Sequence, residues 1–99
     1  MSNQEIPRRP TASELEQQAD KLEAISGLLH GSAYGPVMRA RRFLLLLAKQ
    51  PTPGEGVEPG EFDGVIADLT KFANTVANPA STRMVDAATT LAQFQPAQL

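Results

Sequence analysis

Cysteine and tryptophan are absent from the 99 residues of this chain, and histidine occurs once, as His30. Without cysteine the chain forms no disulfide and offers no thiolate to a metal, and nothing in it points to an oxidising compartment. A metal site or an acid–base pair built on His30 would need partner residues that the helical spacing around it does not supply. The sequence therefore predicts no catalytic residue, no metal site and no cofactor, and we expect a protein that is not an enzyme.

Long apolar runs and a strong net charge are also missing. The longest uninterrupted apolar run, residues 43–48, is far shorter than the ~20 residues that a membrane-spanning helix needs. The first ten residues lack the apolar run that follows the charges of a signal peptide. The formal net charge of −2 is too small for a bulk attraction to nucleic acid or to a membrane surface. We therefore expect a cytoplasmic protein that does not associate with membranes.

Hydrophobic residues make up 41% of the chain and charged residues 20%, which is the composition of one small globular domain. Helical periodicity recurs four times and no strand pattern is evident, so we predict an all-α, four-helix bundle-like domain. The predicted helices cover about residues 13–30, 36–50, 61–77 and 79–95. Asn78 and Pro79 end the third helix and begin the fourth, with Asn78 as its cap and Pro79 in its first turn. This short connection makes the two helices an antiparallel hairpin.

The ends of the chain differ in character from its middle. Residues 1–10 are polar and contain Pro7 and Pro10, so we predict a flexible N-terminal tail. The single helical domain is expected to cover residues 11–95, and residues 96–99 are expected to form a frayed C-terminal tail. The segment 51–60 holds three prolines and three glycines, which predicts an irregular loop. That acidic loop is either a crossover between helices or a second binding element.

Two overlapping capping boxes mark the start of the first predicted helix, Thr11 with Glu14 and Ser13 with Glu16. The apolar residues of this helix form a narrow stripe at three-four spacing, which resembles a coiled-coil seam more than a broad core face. They are Leu15, Ala19, Leu22, Ile25 and Leu29. The stripe is either ordinary core or the interface of a homodimer.

The second predicted helix is the most apolar part of the chain. Taken at about 100° per residue from Leu44, its apolar arc is roughly 220° wide, about twice that of an ordinary surface helix. The arc contains Val37, Met38, Ala40, Phe43, Leu44, Leu45, Leu47 and Ala48. A helix of this kind must be covered on more than one side, so we expect it to form the centre of the core. Arg41 falls inside the arc, where either its guanidinium reaches water or it pairs with a buried carboxylate.

Leu46 falls outside that arc, on a basic face between Arg39 and Arg42, with Lys49 nearby. A single exposed leucine is ordinary in a folded protein. A large apolar side chain surrounded by arginines is also typical of a protein–protein interface. We therefore predict that Arg39, Arg42, Leu46 and Lys49 bind another protein. The corresponding function is a non-enzymatic interaction module, acting as a small regulator or inhibitor or as a subunit of a larger assembly such as a phage or secretion structure.

Two other functions remain open from the same residues. The cations Arg39, Arg42 and Lys49, with Arg8 and Arg9, would neutralise a few phosphates of a nucleic acid. Against this, the helix is too apolar to lie in a groove of a duplex, and the aromatic platform of single-strand binders is missing. The third possibility is a homodimeric structural protein that associates through its first or second helix.

Overall fold

A computed structural model of the chain describes residues 10–29, 31–50 and 57–94. These residues form the predicted all-α bundle, and no β-strand occurs in these ranges. The four helices are α1 (Ala12–Ile25), α2 (Tyr34–Ala48), α3 (Pro59–Ala73) and α4 (Ala80–Ala92). His30, the predicted tails over residues 1–9 and 95–99, and the centre of the predicted loop, 51–56, lie outside the described residues. Pro10 is buried.

The four helices are arranged as two hairpins that pack against each other. The closest packing is between α1 and α2 and between α3 and α4, and the second of these pairs is the predicted hairpin. In addition α1 packs on α4 and α2 packs on α3, so that the hairpins close into a four-sided bundle. Of the four neighbouring pairs, α2 and α3 make the fewest contacts.

One apolar core runs through the bundle, and the predicted stripes supply it. The arc of α2 is buried at its centre, where Val37, Ala40, Leu44 and Leu47 are all 0% exposed. The whole seam of α1, from Leu15 to Leu29, is at most 6% exposed within the single chain. A homodimer through that seam would therefore require the bundle to open.

The end of α1 differs from the prediction. The helix stops at Ile25 rather than near residue 30, and two 3₁₀ turns, Ser26–Leu28 and Gly31–Ala33, lead into α2. Gly27 lowers the helix propensity at this point. The backbone of Leu29 is extended, with φ −97° and ψ 142°, and its side chain is buried. Gly31 has a φ of 66°, which is the left-handed conformation that glycine adopts readily.

The bounds of the other helices also shift. α2 begins two residues earlier than predicted, at Tyr34. α3 begins at Pro59, so the end of the predicted loop 51–60 is helical. Proline suits the first helical position because it has no N–H that would lack a hydrogen-bond partner there. α3 stops at Ala73 rather than at residue 77. At this end of the helix, the Ser81 hydroxyl donates a hydrogen bond to the Ala73 carbonyl at 2.8 Å. α4 covers Ala80–Ala92 rather than residues 79–95, and its N-cap residue is Pro79 instead of the predicted Asn78. The Oδ1 of Asn78 still accepts the Thr82 N–H at 3.1 Å, so Asn78 contacts the first turn of α4 from outside the helix.

Thr11, and not Ser13, caps α1. The Glu14 N–H donates to Thr11 Oγ1 at 3.2 Å, and the Thr11 N–H donates to Glu14 Oε1 at 2.8 Å. Ser13 lies inside the helix and is exposed. We expect Thr11→Ala to lower the free energy of unfolding by about 1 kcal/mol. Ser13→Ala should change it by less than about 0.5 kcal/mol. Urea titrations of the two variants measure this, and equal losses would contradict the capping assignment.

Candidate functional site

An open groove lies between α2 and α3, on the side of the bundle where neighbouring helices make the fewest contacts. We call it the α2–α3 groove. It is lined by Arg39, Arg42, Phe43 and Leu46 of α2 and by Glu61 and Val65 of α3. A second groove adjoins it on the surface of α2 and is lined by Arg42, Leu45, Leu46 and Lys49. Arg42 and Leu46 line both grooves, so the two form one continuous surface.

All four residues that the sequence singled out lie on this surface. Because they are spaced three, four and three residues apart, they form one strip along α2 that is roughly 15 Å long. Leu46 is 54% exposed, as its position outside the apolar arc predicts. The structure adds Phe43, Glu61 and Val65, which spacing along α2 does not reveal. A role for the strip in binding stays a prediction.

Three phenylalanines, one from α2, one from α3 and one from the turn after α4, support the apolar floor of the α2–α3 groove. Phe43 meets Phe62 edge to face, with ring centroids 5.2 Å apart and planes at 73°. Phe62 stacks on Phe94, with centroids 5.4 Å apart and planes at 29°. Such offset and edge contacts are the preferred arrangements of aromatic pairs. Phe62 and Phe94 are buried and Phe43 is half-buried, so the floor is anchored in the core.

The two walls of the groove carry opposite charges. Arg39 Nη1 lies 3.5 Å from Asp68 Oδ2, and this exposed pair crosses from α2 to α3. Together with the contact between Phe43 and Phe62, it shows that the two helices run antiparallel. Within the described part of the chain, Arg42 and Lys49 form no ion pair, and neither does Glu61 on the opposite wall. Two cations on α2 are therefore available to a ligand.

Arg41 belongs to the other side of α2. Its Nη2 lies 3.4 Å from Glu23 Oε1 on α1, and its side chain is 27% exposed. Arg41 thus has a carboxylate partner, but the Glu23 side chain is 59% exposed, so the predicted buried pair is not what forms. The sequence had not identified Glu23. The Nε of Arg41 is buried and has no hydrogen-bond partner among the described residues, which reduces the net benefit of the pair. Arg41 lines neither groove, and its ion pair links α2 to α1.

Leu46 is distinguished by its surroundings from the other large apolar side chains that are exposed in the described part of the chain. Leu28 is 56% exposed, Tyr34 48% and Val85 47%. None of these three lines either groove. Val85 therefore provides a control for Leu46, because it has nearly the same exposure, also lies in an α-helix and is far from the cationic strip in the chain order.

Comparison of the chain with protein-family models, with characterised proteins and with solved structures finds no match in any of the three. Within the described ranges, no three histidine, aspartate or glutamate side chains are grouped so that they would hold a metal ion. No helix there is long and apolar enough to cross a bilayer. The fold and the site define the class as a small all-α bundle that carries an apolar groove with one basic wall.

Proposed function

We propose that this chain is a non-enzymatic protein-binding module and that its partner contacts Arg39, Arg42, Leu46 and Lys49. The observation that supports this most directly is the position of Leu46, which is 54% exposed in the most apolar helix of the chain. It lies between two cations that form no ion pair in the described part of the chain, beside a groove with an apolar floor. Covering half of a leucine side chain would contribute about 1 kcal/mol to binding.

Two biological roles use such a surface. A small regulator or inhibitor docks on a larger protein through one face, and a subunit of an assembly, such as a phage or secretion structure, docks on its neighbours. In both roles the domain works by occupying a surface and carries out no reaction. We propose the cytoplasm as its location, which accords with a chain that contains no cysteine.

Nucleic-acid binding by the same cations has less support. The carboxylates of Glu61 and Asp68 lie on the opposite side of the α2–α3 groove, and Asp68 pairs with Arg39. A phosphate backbone laid along the strip would meet these negative charges as well as the cations. A homodimer through α2 would bury the same strip in both copies, so the oligomeric state distinguishes it from a foreign partner.

We expect Leu46→Glu to weaken partner binding at least about tenfold, because a charge replaces an apolar contact at the centre of the interface. Val85→Glu, which places the same charge on α4, should leave binding unchanged. The tagged full chain and both variants are used to capture proteins from cells that express the chain naturally. The affinity of the main captured protein is then measured by calorimetry, after thermal melts have shown that the variants are folded.

Two results would overturn this proposal. One is a captured partner that binds Leu46→Glu as tightly as the unmodified chain. The other is the capture of nucleic acid alone, released steeply by salt, which is the signature of phosphate contacts. Loss of binding in both variants would point to a general effect of added charge and would also remove the support for this surface.

A further inference from the structure

The length of the strip along α2, which borders the α2–α3 groove and the groove adjoining it, suits a helical ligand. The strip from Arg39 to Lys49 covers three turns of α2, so a parallel or antiparallel helix of about 10–14 residues would match its length. The apolar part of the groove lies midway along the strip, where Phe43, Leu46 and Val65 meet. A ligand helix would present its apolar stripe there and its polar residues to either side.

The backbone also favours a helix over an extended peptide. Apart from the ends of α2 and α3, their N–H and C=O groups are bonded within their own helices, so the groove walls offer no edge with which a strand would pair. An extended peptide would leave its own backbone groups against Phe43 and Val65 without hydrogen-bond partners, at a cost in free energy. A helix satisfies its backbone internally and buries only side chains.

The charges of the walls specify the ligand further. Arg42 and Lys49 form no ion pair among the described residues, and both are exposed. Arg39 has only an exposed partner, Asp68 at 3.5 Å, with which an incoming carboxylate would compete. The wall formed by α2 therefore attracts acidic residues. Glu61 on the opposite wall repels them, so the acidic residues of the ligand belong on the flank that faces α2.

Given the protein-binding function proposed above, we infer that the α2–α3 groove receives an acidic amphipathic helix of the partner protein. Its apolar residues, spaced at i, i+3 or i+4, and i+7, contact Phe43, Leu46 and Val65. Aspartate or glutamate residues on one flank pair with Arg42 and, in the adjoining groove, with Lys49. The basic wall speeds association and selects against cationic partners, while the apolar floor supplies most of the buried area.

Three labelled peptides of roughly 16 residues, about 24 Å long as helices, test this inference. The acidic probe has leucines at i, i+3, i+4 and i+7 and glutamates on one flank. The basic probe has lysine in place of every glutamate. The scrambled probe has the composition of the acidic one, with its leucines spread around the helix. Fluorescence anisotropy with the full chain is expected to show binding of the acidic probe at least about tenfold tighter than that of either other probe.

Charge reversal on the protein provides a matched pair of variants. Arg42→Glu is expected to weaken the acidic probe about tenfold and to strengthen the basic probe. Arg83→Glu makes the same change on α4, where the side chain lines neither groove, and should alter neither affinity. Identical effects of the two variants would show that only net charge matters and would overturn the inference.

Other occupants of the groove give other results. Equal binding of the acidic and scrambled probes would indicate a surface for polyanions in general. Tighter binding of a duplex oligonucleotide than of the acidic probe would indicate a nucleic-acid surface. A dimer by light scattering that Leu46→Glu dissociates, with no binding of the acidic probe, would make a second copy the occupant. Each of these outcomes overturns the inference.

The peptide test and the capture test distinguish failure of the inferred partner chemistry from failure of the proposed function. If Leu46→Glu abolishes capture of the natural partner while the acidic probe does not bind, the protein-binding function stands and the inferred chemistry of the partner is wrong. If the natural partner binds Leu46→Glu normally, the proposed function fails at this surface, whatever the peptides do.

Discussion

Leu44→Ala is expected to lower the free energy of unfolding by about 2–5 kcal/mol. Leu44 is 0% exposed at the centre of the apolar arc of α2. Removing its branched end loses the transfer free energy of the buried atoms and leaves a cavity that the surrounding helices fill only in part. Since small domains have a net stability of about 5–15 kcal/mol, this is a large fraction of the total. Urea titration followed by circular dichroism measures the loss.

Leu46→Ala provides the control, because the same change is made two residues further along the same helix. Leu46 is 54% exposed, so its truncation removes only part of a buried leucine's contribution and should lower the free energy of unfolding by at most about 1 kcal/mol. Equal losses for the two variants would mean that α2 is rotated differently in the bundle. The strip of Arg39, Arg42, Leu46 and Lys49 would then no longer line the two adjoining grooves, and both proposals about this surface would fail.

Phe62→Ala is expected to cost about 3–5 kcal/mol. Phe62 is 4% exposed and is the middle ring of the aromatic series, in contact with both Phe43 and Phe94. Its removal opens a cavity where α2, α3 and the turn after α4 meet, at the floor of the α2–α3 groove. Each aromatic contact also contributes about 0.5–1.5 kcal/mol beyond the burial of area. Thermal and urea unfolding measure the loss.

Two further variants keep this prediction testable if Phe62→Ala does not fold. Phe62→Leu retains much of the apolar volume and should lose mainly the ring contacts, about 0.5–1.5 kcal/mol for each pair. Phe72→Ala truncates a half-buried phenylalanine of the same helix and should cost less than Phe62→Ala. If Phe72→Ala proved the more destabilising of the two alanine variants, the contacts of Phe62 with Phe43 and Phe94 would not have the predicted importance for stability.

Much of the bundle follows from local pattern. The helical period assigned the four helices, the buried centre of α2 and the buried seam of α1, because these depend on the order of apolar residues along one segment. The same period placed Leu46 outside the arc of α2 among the cations, and its exposure of 54% agrees. One wall of the candidate site was therefore predictable, since all four of its residues share a helix.

The helix ends were less predictable, because they depend on competition between neighbouring groups. Both Thr11 and Ser13 begin a capping box in the sequence. Only the two hydrogen bonds between Thr11 and Glu14 in the folded chain show that Thr11 is the cap. The early end of α1 brings Leu29 into the core through an extended residue rather than through another helical turn. The last residue of α3, Ala73, accepts a hydrogen bond at its carbonyl from the hydroxyl of Ser81, eight residues further along the chain.

The second wall of the site came from the tertiary structure alone. Glu61 and Val65 face Leu46 only because α3 packs antiparallel beside α2, and the sequence does not state which helices become neighbours. The pairing of Arg41 with Glu23 and the series Phe43, Phe62 and Phe94 have the same origin. A repeating pattern determines which face of a helix is buried. The partner that buries it depends on how all four helices share one core, and that is a property of the folded chain as a whole.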